Sequence, residues 1–291
     1  MSTSHTSAQA GAASLPATLR LGPVHVTVSD LDRALAFYEP ALGLRVLRRD
    51  DGTAALGAED EVVVLHERPD ARPAGRHAGL YHYALLYPSR EELARAALRL
   101  IATQTPVDGA SDHGTHEAIY LPDPDGNGLE LAADRPREAW PSHEEMYAGG
   151  PHPLDFRDLL ATVQGEPPRQ YAAPGLRVGH VHLHVGDVDR ALAFYHDVLG
   201  FDVMARLPSA AFVAAGGYHH HLAFNVWRGR GVPGAPDDAV GLDHWTVELG
   251  DEAAVAALRD RVTAAGVEYE ERPGGLLVRD PWGIALAVRA G

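Results

Sequence analysis

The segment Asp30-Leu-Asp-Arg-Ala-Leu-Ala-Phe-Tyr returns almost unchanged 157 positions later as Asp187-Val-Asp-Arg-Ala-Leu-Ala-Phe-Tyr, and a Leu-Gly pair follows in both copies (Leu42-Gly43, Leu199-Gly200). A repeat at this spacing means that one structural module occurs at least twice, which removes most single-core folds from consideration. Each copy is preceded by an alternating run. Val24, Val26 and Val28 alternate with His25 and Thr27; Val181, Leu183 and Val185 alternate with His180, His182 and His184. Period-two alternation predicts a strand with one apolar and one polar face. Ser29 or Asp30 then caps a helix that Gly43 ends, as Asp187 and Gly200 do in the second copy. Leu31, Leu35, Phe37 or Tyr38, and Leu42 give that helix its buried face, so the repeated Phe-Tyr pair is core packing.

A fainter version of the same pattern follows within each half. The run Gly79-Leu-Tyr-His82 opens a strand, with a helix expected over 89–104 behind a Ser89/Glu92 capping box. In the other half Gly241-Leu-Asp-His244 opens a strand, and the helix at 251–265 stops at Gly266. Both halves close on a turn, Asp123-Pro-Asp-Gly or Asp280-Pro-Trp-Gly, and then a strand; Asp123 and Asp280 are turn formers. The expected fold is α+β, with four βαβββ units paired into two domains with cupped mixed sheets, at 21–135 and 177–291. Residues 1–20 are expected to be a disordered tail. The proline-rich stretch 136–176 is the connection, with one short amphipathic piece over 154–163.

A net charge of −15 argues against a protein that grips nucleic acid or anionic membranes. No apolar run reaches the roughly 20 residues that span a bilayer. Cysteine is absent, which excludes thiolate ligands, thiol nucleophiles and disulfides, and fits the cytoplasm. Seventeen histidines remain the richest source of chemistry.

Paired βαβββ units, the Phe-Tyr-x-x-x-Leu-Gly helix end and the terminal Asp-Pro-x-Gly strand together resemble the vicinal oxygen chelate superfamily of glyoxalases, bleomycin resistance proteins and extradiol dioxygenases. Gly179-His-Val-His-Leu-His and Gly216-Gly-Tyr-His-His-His look most like the bacterial two-domain catechol 2,3-dioxygenase type. The resemblance implies a ring-cleaving enzyme that acts on a catechol or related vicinal diol with O₂. It also implies a divalent metal on the concave face of a cup, Fe(II) foremost, with Mn(II), Ni(II) or Zn(II) as alternatives. Two histidines and a carboxylate would hold Fe(II) and leave positions open for substrate.

Carried onto this chain, the resemblance places His180 and His244 as metal ligands, but Ala287 stands where the family has glutamate. His221 is the favoured third ligand. His220, with His219, is the candidate acid/base, and His182, Tyr218, Asn225 and Trp227 are the expected pocket. The first half offers an alternative set of His82, Glu130 and His25, with Pro23 where the second half has His180. Neither half holds the whole set. Two other functions stay open: a glyoxalase-type isomerase or lyase that needs no O₂, and a metal-free small-molecule binding protein. Sheet edges in such a fold also offer a route to a homo-oligomer.

Overall fold

The structure is a computed structural model and describes residues 14–142, 145–146 and 150–291. Four βαβββ units are present. In each, the first strand lies parallel to the last: Val24–Val28 with Glu61–Glu67, Gly79–Tyr87 with Gly128–Asp134, Arg177–His184 with Leu222–Asn225, and Gly241–Leu249 with Ala285–Ala290. The two intervening strands complete each unit's small sheet, and its helix covers the convex face.

The repeated helix, Leu31–Leu42, is capped by Asp30, whose carboxylate accepts from the Arg33 N–H. It ends at Gly43, whose φ of 71° suits a residue without a Cβ. Leu31, Ala34, Leu35, Tyr38, Ala41 and Leu42 are its buried residues. The second copy keeps the cap at Asp187, but its helix, Val188–Leu192, widens into a π-turn over Ala193–Val198.

Two kinds of contact join the units. Within each half, a helix tyrosine reaches the closing turn of the following unit. The Tyr38 hydroxyl donates to Asp123 at 3.0 Å, and Tyr195, in the same place, donates to Asp280 at 3.1 Å. These aspartates also gather their own turns: Asp123 accepts from the N–H groups of Asp125 and Asn127, and Asp280 from those of Trp282 and Ile284. The sheets are joined across the halves. Strand Gly79–Tyr87 of the second unit runs antiparallel to Arg177–His184 of the third, and Val24–Val28 of the first runs antiparallel to Gly241–Leu249 of the fourth. Each cup is therefore built from one unit of each half.

The N-terminal segment departs from the expected tail. Residues 1–13 lie outside the described residues, but Leu15 and Leu19 are buried, Leu15 N–H bonds the Gly200 carbonyl at 2.9 Å, and Arg20–Leu21 pairs with Gly241–Leu249. Two leucines at this spacing anchor what composition alone makes look unstructured. The connection is also ordered where described. Strand His152–Pro153 pairs with Gly109–Asp112, and helix Phe156–Ala161 buries Leu159 within the expected amphipathic piece.

Asp280 supplies a test of this packing. Burial pushes its carboxyl up to about 6, against N–H donors that pull it down. A carboxyl raised in the folded state stabilises the fold while protonated. That contribution is complete below about pH 4 and is lost as pH rises through about 6. Urea unfolding of Asp280→Asn and the parent should therefore show the free-energy difference moving in the variant's favour by up to about 3 kcal/mol between pH 4 and pH 7. A pH-independent difference would contradict the assignment.

Candidate metal centre

Strand alternation decides what faces the cup made by the second and third units. His82 and Ala84 share a face of Gly79–Tyr87, and Glu130 lies opposite Ala84 on the neighbouring parallel strand. His182 lies opposite His82 across the seam, and His180 is two residues before it on the same face. Tyr120 pairs with Glu130, and His116 lies on the Tyr120 face of its strand. Phe212 pairs with Ala223 from the third unit. Alanines 84, 118, 132 and 223 occupy the remaining positions of this face, and their short side chains leave space. The result is a cavity of about 360 Å³ lined by His82, His116, Glu130, His180, His182 and His220 among others.

Three ligand atoms converge at its floor. His82 Nε2 and His180 Nε2 each lie 3.1 Å from Glu130 Oε2, and 3.3 Å from each other. All three residues are buried. Two ligands about 2.1 Å from one ion and at right angles to each other lie about 3.0 Å apart, so this triangle fits one face of an octahedral ion. Each imidazole nitrogen donates to Glu130 in one tautomer and, in the other, turns its lone pair toward the same point, where one divalent cation would take all three atoms. The other carboxylate oxygen, Glu130 Oε1, is buried without a hydrogen bond, 3.3 Å from His116 Nε2. Burial alone would raise the Glu130 carboxyl, but His180, His116 and His82 together hold it well below the usual range. Burial lowers His180, although Glu130 opposes it. An ionised carboxylate and an imidazole with its lone pair free are what a divalent cation needs.

A second layer surrounds this set. The His220 ring lies 4.2 Å from that of His180. His220 Nδ1 is 2.9 Å from His219 Nδ1, and His219 Nε2 is 3.1 Å from Asp134, which also accepts from the Tyr218 hydroxyl at 2.9 Å. Burial holds His219 down at about 3 and puts His220 well below its ordinary value. His113, His116 and His219 form a stack of near-parallel rings at 4.5 and 4.6 Å. Two of these rings, His116 and His219, also bring a nitrogen each within 4.8 Å of an Asp134 oxygen and of one another, a looser group beside the first that lines the cavity wall.

The other cup has the same strand arrangement but keeps only one of the three corresponding residues. His244 corresponds to His82, and Ala287 lies opposite Thr246 as Glu130 lies opposite Ala84. Pro23 takes the position of His180. His244 stacks instead on His25 at 3.8 Å and meets Asp243 at 2.6 Å, while His25 Nδ1 contacts His66 Nε2 at 2.9 Å.

The structure groups the expected residues differently. His180 is joined by His82 and Glu130, and not by His244 or His221, because its strand pairs with the second unit instead of the fourth. His221 accepts from the Ala215 N–H at 3.2 Å and lines a different cleft beside Ala17 and Tyr218. His25, expected beside His82 and Glu130, belongs to the other cup. His219, His220, His182 and Trp227 do line the cavity. Asn225 supports it from behind, holding His182 at 2.9 Å and His184 at 2.8 Å, and Tyr218 acts through Asp134. Sequence reasoning missed Tyr81, Phe212 and Asp134. Asp134 was legible only as a residue four positions after Glu130, on the same strand and the same face.

Cupped βαβββ pairs with two histidines and a glutamate on the concave face define a vicinal-oxygen-chelate protein. Residues 20–131 and 177–288 each match the Glyoxalase/Bleomycin resistance protein/Dioxygenase superfamily, and the chain belongs to it. A catechol-2,3-dioxygenase of Bacillus subtilis (strain 168) is 41% identical over 269 residues, which is 90% of this chain and 93% of that protein. Among solved structures, a putative dioxygenase from Bacillus subtilis subsp. subtilis str. 168 superposes with a TM-score of 0.65 at 14% identity, covering 96% of this chain and 86% of that one. Glyoxalase I from Zea mays does so at 0.59 and 19% identity, covering 94% and 92%. At these identities the two structures bear on the fold alone.

The ligand assignment is directly testable by metal titration and elemental analysis. His82→Ala, Glu130→Ala and His180→Ala should each weaken divalent-metal binding by at least about 100-fold, more than the loss of a supporting residue causes. His244→Ala, His25→Ala and His221→Ala should leave stoichiometry and affinity unchanged. Loss of metal in His244→Ala with retention in His82→Ala would reverse the assignment.

Proposed function

We propose that this chain is a metal-dependent ring-cleaving dioxygenase acting on a catechol or related vicinal diol. The observation that carries this reading is the convergence of His82, Glu130 and His180 on one point of a cavity whose mouth is aromatic. The 41% identical relative named catechol-2,3-dioxygenase supports the choice of reaction. A complete ligand set speaks against a binding protein that merely uses the cup as a pocket.

His82, Glu130 and His180 would hold the divalent ion, with Fe(II) favoured by the two-histidine, one-carboxylate donor set. Such an ion supplies Lewis acidity that lowers the pKa of a catechol hydroxyl and, as Fe(II), the redox chemistry O₂ requires. The rest is the work of the protein. Tyr81, Phe212 and Trp227 line the mouth outward from the ligands, where they would lie against a bound substrate. His220 faces the cavity with a neutral imidazole, free to take a hydroxyl proton and later return it. Asp134 fixes His219, and His219 fixes His220, so the acid/base is held at one orientation. No helix among the described residues is long and apolar enough to cross a membrane.

Anaerobic loading with Fe(II), then oxygen and a panel of catechols, tests the reading through ring-cleavage absorbance and oxygen uptake. Turnover should consume one O₂ per ring opened. Turnover of an α-keto-aldehyde adduct without oxygen uptake would favour the glyoxalase-type reaction. In the same assay His220→Ala should lower kcat by about 10²- to 10⁴-fold, the usual contribution of an acid/base group, while retaining its metal. Asp134→Ala should lower kcat less, with its metal also retained.

A further inference from the structure

The mouth of the cavity has its own chemistry. Among the described residues, few large apolar side chains are left exposed, and three of them, Trp227 at 55%, Tyr81 at 38% and Leu207 at 38%, line this one cavity. Singly exposed apolar residues need no explanation, but several gathered at one opening mark a surface meant to be covered. Trp227 and Tyr81 stand edge to face at 5.4 Å, and His182 meets each of them at 5.4 and 5.0 Å. Phe212, across the cavity, meets His182 and His220 at 6.2 and 5.2 Å. These rings make a slot that continues outward from the metal ligands.

No lysine or arginine is among the described residues that line the cavity. The arginines on neighbouring segments are committed elsewhere. Arg90 pairs with Glu117 at 2.6 Å and with Asp158 at 2.8 Å; Arg135 pairs with Asp112 at 2.7 Å and with Glu117 at 3.2 Å. Arg228, next to Trp227, donates to the His77 carbonyl at 3.3 Å and lines a separate cleft with Arg68 and Asp243. The lining carries one carboxylate, Glu130, at its floor. A carboxylate, sulfonate or phosphate on the substrate would give up its hydration here without gaining a counter-charge, which is unfavourable.

Size points the same way. About 360 Å³ is roughly a dozen waters' worth of space, more than the eight non-hydrogen atoms of unsubstituted catechol fill.

We infer that the substrate is a catechol bearing an uncharged, apolar substituent, alkyl or aryl, which lies in the slot between Tyr81, Trp227, Phe212 and Leu207, and that catechols with an anionic side chain are excluded. The inference rests on the ring-cleaving reading for its catechol, but the slot is tested apart from it.

The experiment compares 4-ethylcatechol, 4-phenylcatechol and 3,4-dihydroxyphenylacetate on the Fe(II)-loaded enzyme. Anaerobic binding is read from tryptophan fluorescence, and then kcat/KM with oxygen. Both neutral compounds should bind at least 10-fold more tightly than the carboxylate. Leu207→Arg, which places a cation at the mouth away from the ligands and the acid/base, should raise the relative binding of the carboxylate at least 10-fold. Equal or tighter binding of the carboxylate to the parent enzyme overturns the inference, whatever the turnover. Discrimination in binding without ring cleavage of any compound sustains the slot and overturns the dioxygenase reading. Trp227→Ala guards against a misread signal: read through kcat/KM, it should shrink the preference for 4-phenylcatechol over 3,4-dihydroxyphenylacetate while metal content stays unchanged, and an undiminished preference counts against the slot.

Discussion

Strand Gly79–Tyr87 runs antiparallel to Arg177–His184, with His82 opposite His182, and this hydrogen-bonded seam brings the ligands together. On one side it presents His82 with Glu130 on the adjoining parallel strand, and on the other it presents His180. A one-residue slip would turn each histidine to the opposite face of its strand. Register is protected because the reverse faces carry Tyr83, Leu85, Val181 and Leu183, all buried against helices. The same alternation that builds the core therefore holds the site in position. The chain follows it even where the ladder is irregular, with register shifts on both sides of the pair Val181–His182.

Burying this much polar surface in one place has a cost. Glu130, His82, His180, His182 and His220 are all within a few per cent of complete burial. Burial lowers His180, His182 and His220, which favours their neutral imidazoles. The carboxylate keeps its charge because histidines crowd it from three directions. Such a group is poorly balanced as protein alone and well balanced around a cation. The second cup shows the alternative. There Ala287 stands in the place of Glu130 and Pro23 in that of His180, and the histidines present stack and hydrogen-bond among themselves.

The sequence made the modules plain and left their partnership hidden. Helix caps at Asp30 and Asp187, stops at Gly43 and Gly200, and the aspartate turns are settled within about fifteen residues, so local pattern suffices for them. Pairing between units is different. All four first strands carry the same apolar alternation with histidine, and nothing local says which edge meets which. Pairing units within each half splits the cluster, and His221 then stands in for a glutamate that His180 meets from the other half. The mismatch at Pro23 and Ala287 was the clue: both vacancies fall in one cup. Asp134 and Phe212 were out of reach because their roles depend on strands distant in sequence.

Two segments near the ends of the described chain lie against one strand. Arg20–Leu21 pairs with Gly241–Leu249 at Glu248 and Val247, and the Gly291 N–H bonds the Leu249 carbonyl at 2.6 Å. In space, then, the fourth unit is followed by the first, and the linear order is one cut in a closed ring of modules. Joining the ends of the chain and opening it between the first and second units, within residues 68–78, would leave the pairings of the named strands in place and put only the Arg72–Ala239 bridge in the opened stretch. Each cup would then come from modules adjacent in sequence. Circular permutation would thus convert the crossed architecture into a tandem one without moving His82, Glu130 or His180.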